Sequence, residues 1–317
     1  VTDEPAPAAG LAPLVCITGP TASGKSSLAM EVAEALPAEI LCVDSMQVYR
    51  GFDIGTAKPS AQDQHRIPHH GLDLVEPSDQ FDAGAFLALA RELVAQRRAL
   101  GREVLAVGGS GLYLRALLYG LAPSAPADQE LREGLRLAEQ AEPGSMHRRL
   151  AQVDPDSAQL LHGNDLVRIE RALEVFLLTG QQQSVWLSEH GFGEASFAPI
   201  VFAIRWPRDR LRERIARRVT RMFDAGWGEE VRALLEAGVT DQVPAMRALG
   251  YREVSAMVRG ELGEDEARAR TTVLCQQFAK RQTTWFNRVP SIHWLDPEED
   301  MTARVIERSR SSLAGAP

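Results

Sequence analysis

The chain has 317 residues, 44% hydrophobic and 25% charged, enough apolar material for one large α/β domain or two smaller ones. Its 35 basic and 43 acidic residues give a net charge of −8, which taken alone argues against a nucleic-acid partner. Cys16, Cys42 and Cys275 stand far apart with no C-x-x-C pair, so neither a disulfide framework nor a zinc ribbon is indicated, and no apolar run approaches a membrane span.

Residues 1–12, rich in Pro and Ala, read as a disordered tail. With no basic-then-apolar signal pattern, the cytoplasm is the expected location. The apolar run Leu14-Val15-Cys16-Ile17-Thr18 then leads into Gly19-Pro20-Thr21-Ala22-Ser23-Gly24-Lys25-Ser26, and a helical pattern follows from Ser26 to Leu36. This is a P-loop in its expected context, strand before and helix after. The two glycines let the backbone curl so that successive N–H groups face a di- or triphosphate, and the helix N-terminus adds positive potential. Lys25 is the candidate for neutralising phosphate charge. Ser26 is the candidate ligand to Mg²⁺, an ion that keeps several waters and takes few ligands from protein.

A second apolar run, Ile40–Val43, ends in Asp44-Ser45, and a third, Glu103–Val107, follows a helix near Ala85–Leu100 and stops at Gly108-Gly109-Ser110-Gly111. Alternating strand and helix predict a parallel, doubly wound α/β sheet of the P-loop class, with ligands at the carboxyl ends of the strands. Ile200–Ile204 and Ser291–Leu295 are further candidate strands. Residues 126–196 read as a helical insertion, with polar connections at Asp154-Pro155-Asp156 and His162-Gly163-Asn164-Asp165. The catalytic core is then assigned to 13–125 and 197–317.

Asp44, at a strand end, is a candidate proton acceptor or a helix N-cap. Gly108 and Gly109 permit close backbone approach to a ligand or mark a plain turn, and the Ser110 hydroxyl can bond a phosphate oxygen or the reacting group. No carboxylate follows the Val104–Val107 run, which counts against ordinary ATP hydrolysis. His65, His69 and His70 have metal-like spacing but lack a completing ligand.

The negative total conceals a basic segment. Between Arg205 and Arg221 lie eight arginines against Asp209 and Glu213. Arg210, Arg214, Arg217, Arg218 and Arg221 follow helical spacing beside an apolar stripe of Leu211, Ile215 and Met222, so this reads as an amphipathic helix with a polyanion-binding or simply solvated face. Gly250-Tyr251-Arg252-Glu253 and Phe278–Trp285 mix cations with aromatics, as RNA-contacting segments do; helix surface is the plainer alternative.

The P-loop, Val43–Tyr49, Asp53–Pro59, Pro68-His69-His70, Gly108–Tyr113, Arg171–Val175, Gly250–Glu253 and Ala279–Gln282 together resemble bacterial tRNA dimethylallyltransferases, in family order from about residue 14 to 288. The resemblance implies transfer of a dimethylallyl group from dimethylallyl diphosphate to N6 of adenosine 37, beside the anticodon in tRNA, with release of diphosphate. Residues 19–26 then hold the allylic diphosphate, with Mg²⁺ on Ser26. Lys25, Ser110 and Arg218 stabilise the leaving group, and Asp44 accepts the proton or a hydrogen bond from N6. By the same resemblance Asp44, Ser45, Met46, Gln47, Ser110, Arg132, Val167, Arg168, Ile169, Glu170 and Arg171 contact the tRNA anticodon stem-loop, joined by Lys280 and Arg281. The family usually has Thr at Ser110 and often Gln at Val167. The expected working form is a monomer. The principal rival is a P-loop small-molecule or nucleotide kinase using ATP; a relative that prenylates free AMP and a non-catalytic RNA-binding protein are the others.

Overall fold

A computed structural model describes residues 11–121, 127–190 and 195–313, so most of the expected tail lies outside the described residues. The described chain falls into two compact units, Val1–Tyr119 with Ala195–Pro317, and Gly120–Glu194.

In the first unit the chain runs β1 (Pro13–Thr18), α1 (Lys25–Ala35), β2 (Ala38–Val43), α2 (Ala61–Arg66), β3 (His69–His70), α3 (Ala83–Ala99), β4 (Glu103–Gly108) and α4 (Gly111–Tyr119). The second unit contributes α5 (Gln129–Ala141), α6 (Ser145–Val153), α7 (Pro155–Leu160), α8 (Leu166–Thr179) and α9 (Gln183–His190). The first unit resumes with β5 (Ala198–Ile204), α10 (Arg208–Asp224), α11 (Trp227–Glu236), α12 (Tyr251–Val258), α13 (Glu264–Phe286), β6 (His293–Leu295) and α14 (Met301–Leu313).

The sheet has the order β3-β2-β4-β1-β5-β6, and every pairing is parallel. β1, β2 and β4 are apolar along nearly their whole length and almost wholly buried, as strands covered on both faces must be. Register sets the level at which these strands end. Thr18 pairs with Gly108 and Gly108 with Val43, so all three stop together. The P-loop, Asp44 and Gly109-Ser110 therefore leave the sheet side by side, at the carboxyl edge where parallel sheets take ligands. A β-carbon on Gly108 would lie 2.1 Å from the Val43 carbonyl oxygen, so that glycine serves the approach of two protein strands rather than of a ligand.

The pair His69-His70 forms the short strand β3, not a metal site. His70 Nε2 lies 2.6 Å from a carboxylate oxygen of buried Glu39, and His69 Nδ1 contacts the Ile67 carbonyl. Among the described residues no cluster of three metal-ligating side chains occurs, and no helix is long and apolar enough to cross a membrane.

The helical unit has its own core of Leu135, Met146, Leu150, Ile169, Ala172 and Leu173. Its polar connections are fastened internally. Buried Asp154 accepts from the Ser157 and Ser184 N–H groups and from both hydroxyls. Glu174 on α8 has no exposed side-chain surface; it takes two bonds from Arg132, both at 2.8 Å, one from the Asp128 N–H and one from Arg171. Burial alone would raise the Glu174 carboxyl, but these donors outweigh it and hold it below the usual range.

Glu174→Ala should lower the unfolding free energy by about 2 kcal/mol, because it strands the partly buried Arg132 and Arg171 and the Asp128 N–H. Glu142→Ala, which removes an exposed partner of Arg148, should leave the urea midpoint unchanged within error. The Glu174 contribution is present above pH ~4.3, the unfolded carboxylate value, and disappears as pH falls through the lower folded value.

Candidate functional site

The P-loop owes its shape to two backbone positions and two side-chain clamps. Gly19 has φ +148° and Gly24 has φ +98°, values open to glycine and strained for other residues. The loop's carbonyls are then held from behind by α10 and the segment before it. Arg214 Nε donates to the Ala22 carbonyl at 2.8 Å, and the Trp206 indole N–H donates to the Ser23 carbonyl at 2.8 Å. Arg214 also lies over the Trp206 ring, 4.4 Å from its centroid. With carbonyls turned outward, the N–H groups at the start of α1 are left for an anion. The buried Ser23 hydroxyl has no partner among the described residues.

A cavity of about 420 Å³ opens beside this loop, walled by Thr21, Lys25, Ser26, Asp44, Arg218 and Gln282 together with apolar Ile40, Cys42 and Val107. A second cavity of about 260 Å³ is walled by Ser45, Met46, Ser110, Trp227, Arg247 and Arg281. Thr21, Asp44, Thr56, Arg218 and Phe278 line both. Asp44 and Arg218 therefore stand where the two cavities meet.

Charge and enclosure shape the groups at this junction. The Lys25 ammonium is pulled down to about 8 by burial and then by Arg218, against the opposing pull of Asp44. Burial raises the Asp44 carboxyl, while the Met46 N–H, Lys25, Arg218 and the Gln47 N–H act to lower it. Arg218 is lowered by burial and, as a guanidinium, stays charged. This is the pattern expected where an anion leaves and a proton is taken up.

Sequence reasoning placed Lys25, Asp44 and Arg218 together, and they line one cavity. It placed Ser110 with them as a leaving-group stabiliser. Ser110 lines the second cavity, and its hydroxyl accepts from the Ser45 N–H at 2.9 Å and lies 3.3 Å from the Ser45 hydroxyl. It ties the end of β4 to the turn carrying Asp44. That bond holds the hydroxyl in place without the methyl group a threonine would add.

Several of the expected RNA contacts are engaged within the helical unit. Ile169 is fully buried in the helical core, so its side chain cannot reach a ligand. Glu170 is buried and bonded to Arg136, and a carboxylate has nothing to offer a phosphate. Arg132 and Arg171 meet at Glu174. Val167 and Arg168 remain exposed, as do Lys280 and Arg281 on α13. Tyr251, in the segment read as RNA-contacting or plain helix surface, is fully buried; its hydroxyl donates to Glu230 at 2.7 Å.

Other contributors were missed. Glu230 also accepts from the Asp53 and Ile54 N–H groups, at 3.0 and 2.6 Å. Nearly buried Lys58 reaches Asp53, Asp73 and the Tyr49 carbonyl. Gly55 lies against the Trp227 indole so closely that a β-carbon would be 2.4 Å from it. Together these fix the Asp53–Pro59 loop that walls both cavities. The only sequence signal for Glu230 was its place in the first turn of α11.

The family model for IPP transferase matches residues 47–289. The chain belongs to this family. It is 46% identical over 284 residues to a tRNA dimethylallyltransferase of Geobacter sulfurreducens, covering 89% of this chain and 91% of the relative. A tRNA dimethylallyltransferase 1 of Pelobacter propionicus is 46% identical over 293 residues, 91% of this chain and 94% of the relative. Among solved structures, the full-length tRNA isopentenylpyrophosphate transferase of Bacillus halodurans is 32% identical with TM-score 0.68, covering 96% of each chain. A eukaryotic dimethylallyltransferase acting on tRNA, 24% identical, shares the fold with TM-score 0.82, over 96% of this chain and 80% of its own.

Because Lys25 loses its proton near pH 8, its contribution to the affinity for inorganic diphosphate should be present below that pH and fall above it, as read by calorimetry against the diphosphate's own titration. In Lys25→Arg, whose side chain stays charged, the fall should vanish.

Proposed function

We propose that the chain transfers the dimethylallyl group of dimethylallyl diphosphate to N6 of adenosine 37 in tRNA, releasing diphosphate. The observation that carries this reading is Asp44 at the junction of the two cavities, with Lys25 and Arg218 in the chamber on the P-loop side. A P-loop lined this way takes the diphosphate, and the second cavity takes the base. An adenine stacked in an anticodon loop must swing out to reach it, which unpaired loop bases do at low cost.

In the transfer the allylic C–O bond breaks, and its electron pair leaves on the diphosphate. A bond forms between N6 and the allylic carbon, and the displaced N6 proton passes to Asp44. Charge grows on the leaving oxygens, where the α1 N–H groups, Lys25 and Arg218 stabilise it in an enclosed site. Asp44 holds the amine in line, and its burial strengthens it as a base while Lys25 and Arg218 pull the other way.

The donor set suits Mg²⁺ only as an ion that arrives with the diphosphate. Ser26 offers one exposed hydroxyl at the first turn of α1, and the described residues hold no carboxylate cluster. Bound there, Mg²⁺ would neutralise diphosphate charge, with phosphate oxygens and water completing its shell. Exposed Val167, Arg168, Lys280 and Arg281, with the Asp44–Gln47 turn, are the proposed RNA contacts. The enzyme is read as a cytoplasmic monomer, since one chain supplies P-loop, base and arginine.

Incubation with Mg²⁺, unmodified tRNA and either dimethylallyl diphosphate or ATP should give dimethylallyladenosine only with the allylic donor, as read by mass spectrometry of digested nucleosides. ATP consumption without a modified nucleoside would instead establish the kinase reading. Asp44→Ala should reduce turnover about a hundredfold or more with little change in tRNA affinity; equal losses in both would remove its role as base. Lys280→Ala and Arg281→Ala should each reduce the salt dependence of tRNA binding by roughly one unit of slope. An unchanged slope would return them to plain helix surface.

A further inference from the structure

Gln282 lies on α13, far in sequence from every residue assigned to the chemistry, yet it is 7% exposed and lines the P-loop cavity. Its amide makes two bonds. Oε1 accepts from the Thr21 N–H at 2.8 Å, and Nε2 donates to the Gly109 carbonyl at 2.9 Å. The partners fix the orientation of the amide, since a backbone N–H only donates and a carbonyl only accepts. Space has been cleared for it, because a β-carbon on Gly109 would lie 2.4 Å from Nε2. The next residue, Ser110, accepts from the Ser45 N–H, and Ser45 follows Asp44.

An uninterrupted series of bonds thus runs from the P-loop through Gln282 to Gly109-Ser110 and on to the Asp44 turn. We propose that Gln282 is a positioning residue that holds the diphosphate cradle in register with the Asp44 turn, so that donor and base meet at reacting distance. This rests on the transfer reading above. Neither substrate needs Gln282 in order to bind alone: the phosphates have the α1 N–H groups and Lys25, and the base has the second cavity. The reaction needs both at once, and displacement of one by about 1 Å costs on the order of a hundredfold in rate. A glutamine is required, because glutamate would set a carboxylate oxygen against the Gly109 carbonyl and methionine would leave the Thr21 N–H and that carbonyl unpaired.

The test compares wild type with Gln282→Met and Gln282→Glu. Single-turnover prenylation at saturating substrates should slow by about tenfold to a hundredfold in both variants, with KM for tRNA and for dimethylallyl diphosphate within about twofold of wild type. A purely structural role would lower Tm and raise both KM values, and cooling would restore the rate; that result overturns the proposal, as does a wild-type rate in Gln282→Met. Amide hydrogen exchange supplies a reading independent of catalysis. In Gln282→Met both Thr21 and Ser45 should exchange faster, since the second is reached only through Gly109-Ser110. Exchange that rises at Thr21 alone would also overturn the proposal. A wild-type protein that forms no dimethylallyladenosine would defeat the transfer reading, while the exchange data would still decide whether Gln282 links the two segments.

Discussion

The outward turn of the P-loop carbonyls is the constraint on which the site depends. Two of the loop's N–H groups are used within the protein, Thr21 on Gln282 and Ser23 on the Pro20 carbonyl, and its enclosed carbonyls need donors of their own. Arg214 and Trp206 supply them at Ala22 and Ser23. The basic helix therefore has two duties that its sequence does not separate. Arg214 faces the back of the loop and shapes it, whereas Arg218, one turn later, faces the cavity. Between them Leu211, Ile215 and Val219 seat the helix against Ala279 of α13, which bears Gln282. The packing that fixes the cradle thus also fixes the helix behind it.

The second condition is the common level at which β1, β2 and β4 end. Because Thr18, Gly108 and Val43 are in register, three short segments reach the same small volume without a long loop. Hydrogen bonds then join them: Thr18 Oγ1 to the Gly108 carbonyl at 2.7 Å, and the Ser110 N–H to the Val43 carbonyl at 3.2 Å. Rigid strands carry the segments, and side chains set their spacing. Sites built this way hold their geometry better than sites on free loops.

How much of the molecule is legible in its sequence depends on how far each signal reaches along the chain. The P-loop, the alternation of strand and helix, and the face of α10 are local patterns with fixed spacing, and Lys25, Asp44 and Arg218 were found from them and from family resemblance. Gln282, Glu230 and Trp206 are single residues whose meaning comes from partners that periodicity does not reveal; the Glu230 bonds span 176 and 177 positions. The same limit covers side-chain direction: Tyr251, in a segment that mixes cations with aromatics, and Ile169, named by family resemblance, each point to the buried side of their helices. Ser110 carries the hydroxyl the chemistry asked for, and only the structure shows that hydroxyl bonded to the Ser45 backbone.

The Thr21–Gln282 bond joins positions 261 residues apart, and β1 pairs with β5, which comes after the entire helical unit. The strand before the P-loop stays unpaired on one side until β5 follows the helical unit, and the Thr21–Gln282 bond waits for α13. Contacts of such separation form late because chain entropy must be lost before they return any stability. A nascent chain therefore carries the phosphate-binding sequence long before the bond that ties it to the Gly109 segment can form.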